Sequence, residues 1–182
     1  MVWRVLAMTA ALLAATPAMA AERPSSGKAQ VNYTITPEQV AAVMRKSGFK
    51  TKILPDKHKE GEKPSWTIEG RDKQPFFMGS DVRACDADGY PKGCLGIRFY
   101  ASMELDKDDL ATARRTADRY NREYYIGKAY VSDDGKSLYF ENYLMIDGGV
   151  TTDHIEQNLD NFLAAYDVMV EVFQELDKAV EA

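Results

Sequence analysis

The last third of the chain, from Gly127 onward, leaves the fewest ways to fold. It reads GKAYVSDDGKSLYFENYLMIDGGVTTDHIEQNLDNFLAAYDVMVEVFQEL. Residues 128–131 and 137–146 alternate in polarity, and Asp133-Asp134-Gly135 supply the backbone angles of a tight turn between them. Leu138, Phe140 and Asn142 face one way; Tyr139, Glu141 and Tyr143 face the other. Gly148-Gly149 break the second strand. A helix then starts at Thr152 or Asp153, with Asp153 and Glu156 spaced as a capping box. Ile155, Leu159, Phe162, Tyr166, Met169, Phe173, Leu176 and Val180 recur at alternating steps of four and three, which marks one helix face. Leu163 and Val170 widen that stripe to what a core-facing helix needs. A hairpin running straight into a long amphipathic helix predicts a compact α+β domain.

The other end of the chain speaks to compartment. Arg4 provides a positive start, residues 5–15 are apolar apart from Thr9, and Ala18-Met19-Ala20 fits the small-x-small cleavage pattern. This predicts a secretory signal over residues 1–20, cleaved after Ala20. The apolar run is about half of the ~20 residues a membrane span requires. No Cys follows the cleavage site, so a lipid anchor is not expected, and the processed chain should not stay inserted in a membrane. Periplasmic localisation follows for a cell with two membranes. Residues 21–34 hold Pro24, Ser25, Ser26 and Gly27 and read as a disordered leader. Residues 35–182 then form one domain with a single core.

Charge matters through its placement. The chain has 23 basic and 28 acidic residues, a net charge of −5. From Asp147 onward nine acids face Lys178 alone. Such a tail disfavours nucleic-acid binding, which needs the opposite sign. It leaves two readings of the last helix: a solvated face that aids solubility, or a docking surface for a basic partner.

Between the two ends, Thr36-Pro37-Glu38-Gln39 opens a helix with a capping box and a proline at its first position. Val40, Val43 and Met44 form its apolar stripe, and Gly48 stops it. Short strands are expected at residues 49–54, 65–70, 75–78, 81–85 and 94–103, with a charged loop over 55–64. In the last of these, Leu95, Ile97, Phe99 and Ala101 share a face. Residues 106–109 open a second helix, in which Leu110, Ala113, Ala117, Tyr120 and Tyr124 fall at helical spacing. Arg115, Arg119 and Arg122 lie together on another of its faces.

Little in the sequence suggests catalysis. Cys85 and Cys94 are the only cysteines and bracket a turn-rich hairpin. In an oxidising compartment this predicts a structural disulfide; Cys-x-x-Cys redox spacing and a four-ligand metal set are both missing. His58 and His154 have no partner at metal-ligand spacing, and no Ser- or Cys-centred triad element is present. Asp86-x-Asp88-Gly89 lacks the closing Glu of a calcium loop. We therefore expect no catalytic residue, no metal and no cofactor.

These motifs come in a definite order: helix, strands, Cys-turn-Cys, Cys94-x-x-Ile97-x-Phe99-Tyr100-Ala101, a helix ending near Asn121, Gly127-Lys128-Ala129-Tyr130-Val131, Asp134-Gly135 and Gly148-Gly149-Val150-Thr151. The order resembles the YbjN-type domain of bacterial sensory transduction regulators, over residues 35–175. Tyr120 stands where that pattern leads one to expect Trp. The resemblance implies an α-β-β-β-α-β-β-α order, with an antiparallel sheet packed by helices as in type III secretion chaperones. It implies no catalytic residues.

The expected function is that of a non-enzymatic binding and regulatory protein of the cell envelope. It would hold a protein or peptide in a groove between sheet and helix, or by strand addition at a sheet edge. Leu159, Phe162, Tyr166, Met169 and Phe173 are the candidate contact residues, unless the protein's own sheet fills that stripe. A symmetric dimer on the last helix is a third arrangement. The competing expectation is an exported enzyme whose site gathers Asp, Tyr, Arg or His from distant parts of the chain. A carboxylate buried beside Arg98, Arg115 or His154 in a concave site would favour it.

Overall fold

The computed structural model describes residues 30–56, 63–71 and 77–179. The expected signal segment and His58 lie outside them. In chain order the elements are β1 (Val31–Asn32), α1 (Pro37–Lys46), β2 (Lys50–Pro55), β3 (Trp66–Arg71), β4 (Phe77–Cys85), β5 (Cys94–Glu104), α2 (Leu110–Glu123), β6 (Lys128–Val131), β7 (Ser137–Met145), β8 (Val150–Thr151) and α3 (Thr152–Lys178). One 3-10 turn, Lys107–Asp109, leads into α2. The fold is α+β, as the hairpin and helix patterns predict.

The main sheet is antiparallel with six strands in the order β2-β3-β4-β5-β7-β6. Four strands separate α1 from α2, not the three implied by the resemblance. The segments expected at 75–78 and 81–85 are one strand, β4. Gly79-Ser80 looks like a break, but Gly79 serves another purpose: the Tyr100 ring on β5 fills the space its Cβ would take. The leader boundary also moves. Val31 and Asn32 pair with Thr151 and Val150 in a small second sheet, so the chain enters the fold ahead of Ile35.

Local signals explain the helix starts. Thr36 Oγ1 accepts from Gln39 N at 3.3 Å, and Gln39 Oε1 accepts from Thr36 N at 2.8 Å. At α3 the cap is Thr151, whose Oγ1 accepts from His154 N at 3.1 Å. The Asp153–Glu156 box is not used, because the helix already begins at Thr152. The β6–β7 hairpin turns through Ser132–Gly135, with Gly135 at φ 72°.

All three helices lie against one face of the sheet, which carries Ile68, Val82, Ile97, Phe99, Leu138 and Phe140, each fully buried. An aromatic cluster sits at the centre. Phe162 of α3 packs 5.4 Å from Phe140 and 6.0 Å from Phe99, ring centre to ring centre, and Tyr120 of α2 meets Phe140 edge-on at 5.3 Å. Cys85 and Cys94 form a disulfide between facing ends of β4 and β5, as the spacing and compartment predict.

Candidate functional site

The stripe on α3 is the back of the core, not an open contact surface. Leu159, Phe162 and Met169 are fully buried, Tyr166 is 8 % exposed, and Phe173 is half-buried against the same cluster. Their periodicity records the wide contact that α3 makes with its own sheet. A symmetric dimer on α3 would have to use the helix's outer side.

Two other regions gather functional chemistry. The first is the sheet face that no described helix covers. Strand alternation puts Thr67, Asp81, Arg98 and Tyr143 in one row across β3, β4, β5 and β7. The next row holds Glu69, Gly79, Tyr100, Glu141 and Lys128. Asp81 is 2 % exposed, and its carboxylate is hydrogen-bonded. Arg83 donates to it at 2.8 Å and Arg98 to the same oxygen, while the single Thr67 hydroxyl proton is shared between Asp81 Oδ1 and Asp56 Oδ1, each 2.9 Å away. Arg98 also reaches Glu141 at 3.4 Å, and the Tyr130 hydroxyl donates to Glu141 at 3.1 Å.

The electrostatics follow from that pairing. Burial works to lower the Arg98 pKa, but Asp81 and then Glu141 outweigh it, so the value lies above the usual arginine range. Tyr100 packs under the Arg98 guanidinium, 4.9 Å from carbon to ring centre. Burial, helped by Asp81, pushes its phenol up to about 12. Tyr130 and Tyr139 stack at 5.4 Å. The carboxylate beside Arg98 that would favour an enzyme is therefore present. It lies on the uncovered sheet face, where Arg83 and Arg98 both donate to one of its oxygens and the Arg98 pair ties β4 to β5.

The second region is a groove of about 360 Å³ between the end of α2 and the middle of α3. Tyr120, Tyr124, Tyr125 and Ile126 form one wall; Asn161, Ala164, Ala165 and Val168 form the other. Tyr125 is 99 % exposed and Ile126 43 %. The wall is fixed from below. The Tyr120 hydroxyl donates to Ile126 O at 2.7 Å, and burial raises that phenol to about 12. Asn121 binds the sheet edge like a short strand: Nδ2 donates to Ala129 O at 2.8 Å, and Oδ1 accepts from Ala129 N at 2.9 Å. This closes β6 to strand addition at Ala129 and pins the 124–127 turn above the groove.

By residue type Tyr120, Tyr124 and Tyr125, with Tyr130, Tyr139, Tyr143 and Tyr166, could line a groove or sit half-buried, and the structure brings the first three to this one. Tyr124-Tyr125-Ile126 is an apolar run just beyond a helix end, where polar residues are usual. Ala164-Ala165 makes α3 thin on the side facing it. Arg115, Arg119 and Arg122 do share a face, as expected, together with Asp118 and Leu176. Arg119 is tied to Glu123 and Glu175, and Arg122 to Glu123. His154 is exposed and gives its backbone N–H to the helix cap.

Residues 88–175 match the YbjN family model, described as "Putative bacterial sensory transduction regulator". The YbjN match runs from the β4–β5 turn through most of α3 and is just under half of the chain; α1 to β4 lie outside it. It contains the whole groove, along with Asn121 and Ala129. No curated protein matches the chain. A crystal structure of an uncharacterized protein from Methanothermobacter thermautotrophicus is similar, with a TM-score of 0.51 at 12 % identity, covering 78 % of this chain and 98 % of that one. At that identity the likeness speaks to the fold alone. Among the described residues no group of three or more His, Cys, Asp or Glu could hold a metal ion, and no described helix is long and apolar enough to cross a membrane.

Proposed function

We propose that this is an exported, non-catalytic regulatory protein of the bacterial cell envelope, periplasmic after cleavage behind Ala20, that acts by holding a protein or peptide segment. The groove between α2 and α3 carries this reading. It is apolar and open, and its rim exposes rigid tyrosine surface, which gives contact area at low entropic cost. The regulator description of the YbjN family and the secretion pattern of residues 1–20 support it. Groove seating is preferred to strand addition because Asn121 already occupies the Ala129 backbone.

A photo-reactive side chain at position 125 of the full chain, expressed in the cell, tests the reading. We expect a crosslink to an envelope protein that disappears in Ala164→Trp, a change that fills the groove. Recovery of the protein with the cytosol would defeat the compartment assignment, and a crosslink indifferent to Ala164→Trp would defeat the groove. The second reading, an exported enzyme built on Asp81, Arg98, Tyr100 and Glu141, is favoured by the buried carboxylate. Substrate turnover abolished by Asp81→Asn with folding intact would establish it.

A further inference from the structure

We infer that the groove takes a basic amphipathic segment, its apolar side chains lying on Tyr124, Ile126, Ala164 and Val168 and its Lys or Arg residues reaching acids on α3. This rests on the binding reading above and specifies the partner's chemistry. On α3, Asp160, Ala164, Asp167 and Glu171 follow one another at steps of four, three and four, so the three acids edge the groove wall that Ala164 forms. All three are exposed and form no ion pair among the described residues.

Three acids close to these are paired. Lys46 takes Glu156, Arg119 takes Glu175, and Glu123 on the opposite wall is held by Arg119 and Arg122. Arg119 and Arg122 are thus already engaged, whereas Asp160, Asp167 and Glu171 are in no ion pair among the described residues, Asp160 acting on Lys46 only across space. An apolar floor beside an unpaired acidic edge complements one face of apolar side chains flanked by positive charge. That is the ordinary way an amphipathic helix reads a groove. Charge of this kind adds on-rate and selectivity more than raw affinity.

The probes are three synthetic amphipathic helical peptides with identical apolar faces and a polar face of Lys, Gln or Glu. Each carries a fluorophore and is titrated with the purified, cell-processed protein. We expect the Lys peptide to bind at least about tenfold tighter than the Glu peptide. That preference should shrink with added salt. It should vanish in the triple variant Asp160→Asn, Asp167→Asn, Glu171→Gln, whose changes lie on the surface and should leave the circular dichroism unchanged. Equal binding of the three peptides, all lost in Ala164→Trp, would overturn the basic-partner inference and leave the groove reading standing. Binding of none would overturn both. A Lys preference that survives in the triple variant would place the charge recognition elsewhere and also refute the inference.

Discussion

The uncovered face of the sheet and the outer side of α3 are both rich in charge, and they dispose of it in opposite ways. On the sheet, Asp81, Arg83, Arg98 and Glu141 form one connected network in which Asp81 is almost completely buried. On α3, Asp160, Asp167 and Glu171 stand in solvent with no ion pair among the described residues. Cross-strand rows bring residues far apart in sequence within reach, so opposite charges meet there. On α3 the acids near α1 and α2 find partners, Glu156 with Lys46 and Glu175 with Arg119, but the outer face repeats a single sign. Charge in the first region is committed to the fold, and charge in the second is in no ion pair among the described residues.

Asp81→Ala breaks the comparison hardest. It leaves Arg98 with Glu141 alone and Arg83 with Asp56 alone, and should cost roughly 3 kcal/mol in urea unfolding. We take the low end for a buried pair because 34 % of the Arg98 side chain is exposed. Replacing both partners, as Asp81→Leu with Arg98→Met, should recover most of that loss. If the single variant costs no more than an ordinary surface change, the network is not structural and the enzyme reading gains.

Cys85→Ser with Cys94→Ser comes next. It frees the β4–β5 end from which the network extends and should cost about 2–3 kcal/mol, from loop closure across a sequence separation of 9. Thiol labelling of the native protein should find no free cysteine; two reactive thiols would refute the bridge.

Tyr100→Phe sharpens the contrast through pH. The folded-state phenol is raised, mainly by burial, to about 12, above its ordinary value of 10.0. Its contribution is fully present below pH 10 and is lost as the pH rises through about 12. The variant should therefore lose less stability than the parent across that window, read as the change in thermal midpoint with pH.

The smallest effect belongs to α3. Neutralising Asp160, Asp167 and Glu171 together should move stability by no more than about 0.5 kcal/mol in either direction. A larger loss would mean that these acids support the fold.

Some of this was legible residue by residue. The Thr36–Gln39 box, the Asp-Gly turn at Gly135 and the α3 stripe are short-range patterns, and each appears where local chemistry puts it. The disulfide needed one further premise, an oxidising compartment. Strand boundaries around Gly79 were not legible, because Gly79 makes room for a ring that arrives from the neighbouring strand. Nor was the meaning of the stripe. Periodicity says that a face is apolar but not whether the protein or a partner covers it. Tyr120, Tyr124 and Tyr125 are among the tyrosines whose type suits a groove, but the opposite wall at Asn161, Ala164 and Val168 was not legible, because it comes from a segment about forty residues away whose apposition depends on how α2 and α3 cross.

The sequence by itself determined the α+β class, the three helices with the cap of α1, the hairpin, the cysteine pair and the one-signed tail, since propensity, periodicity and charge act over a few residues. Only the tertiary structure decided that Asp81 and Arg98 belong together, that the large α3 side chains are spent on the core, and that the open surface lies instead at Tyr125 and Ala164. Those outcomes depend on strand register and helix crossing, which packing across the whole core sets at once.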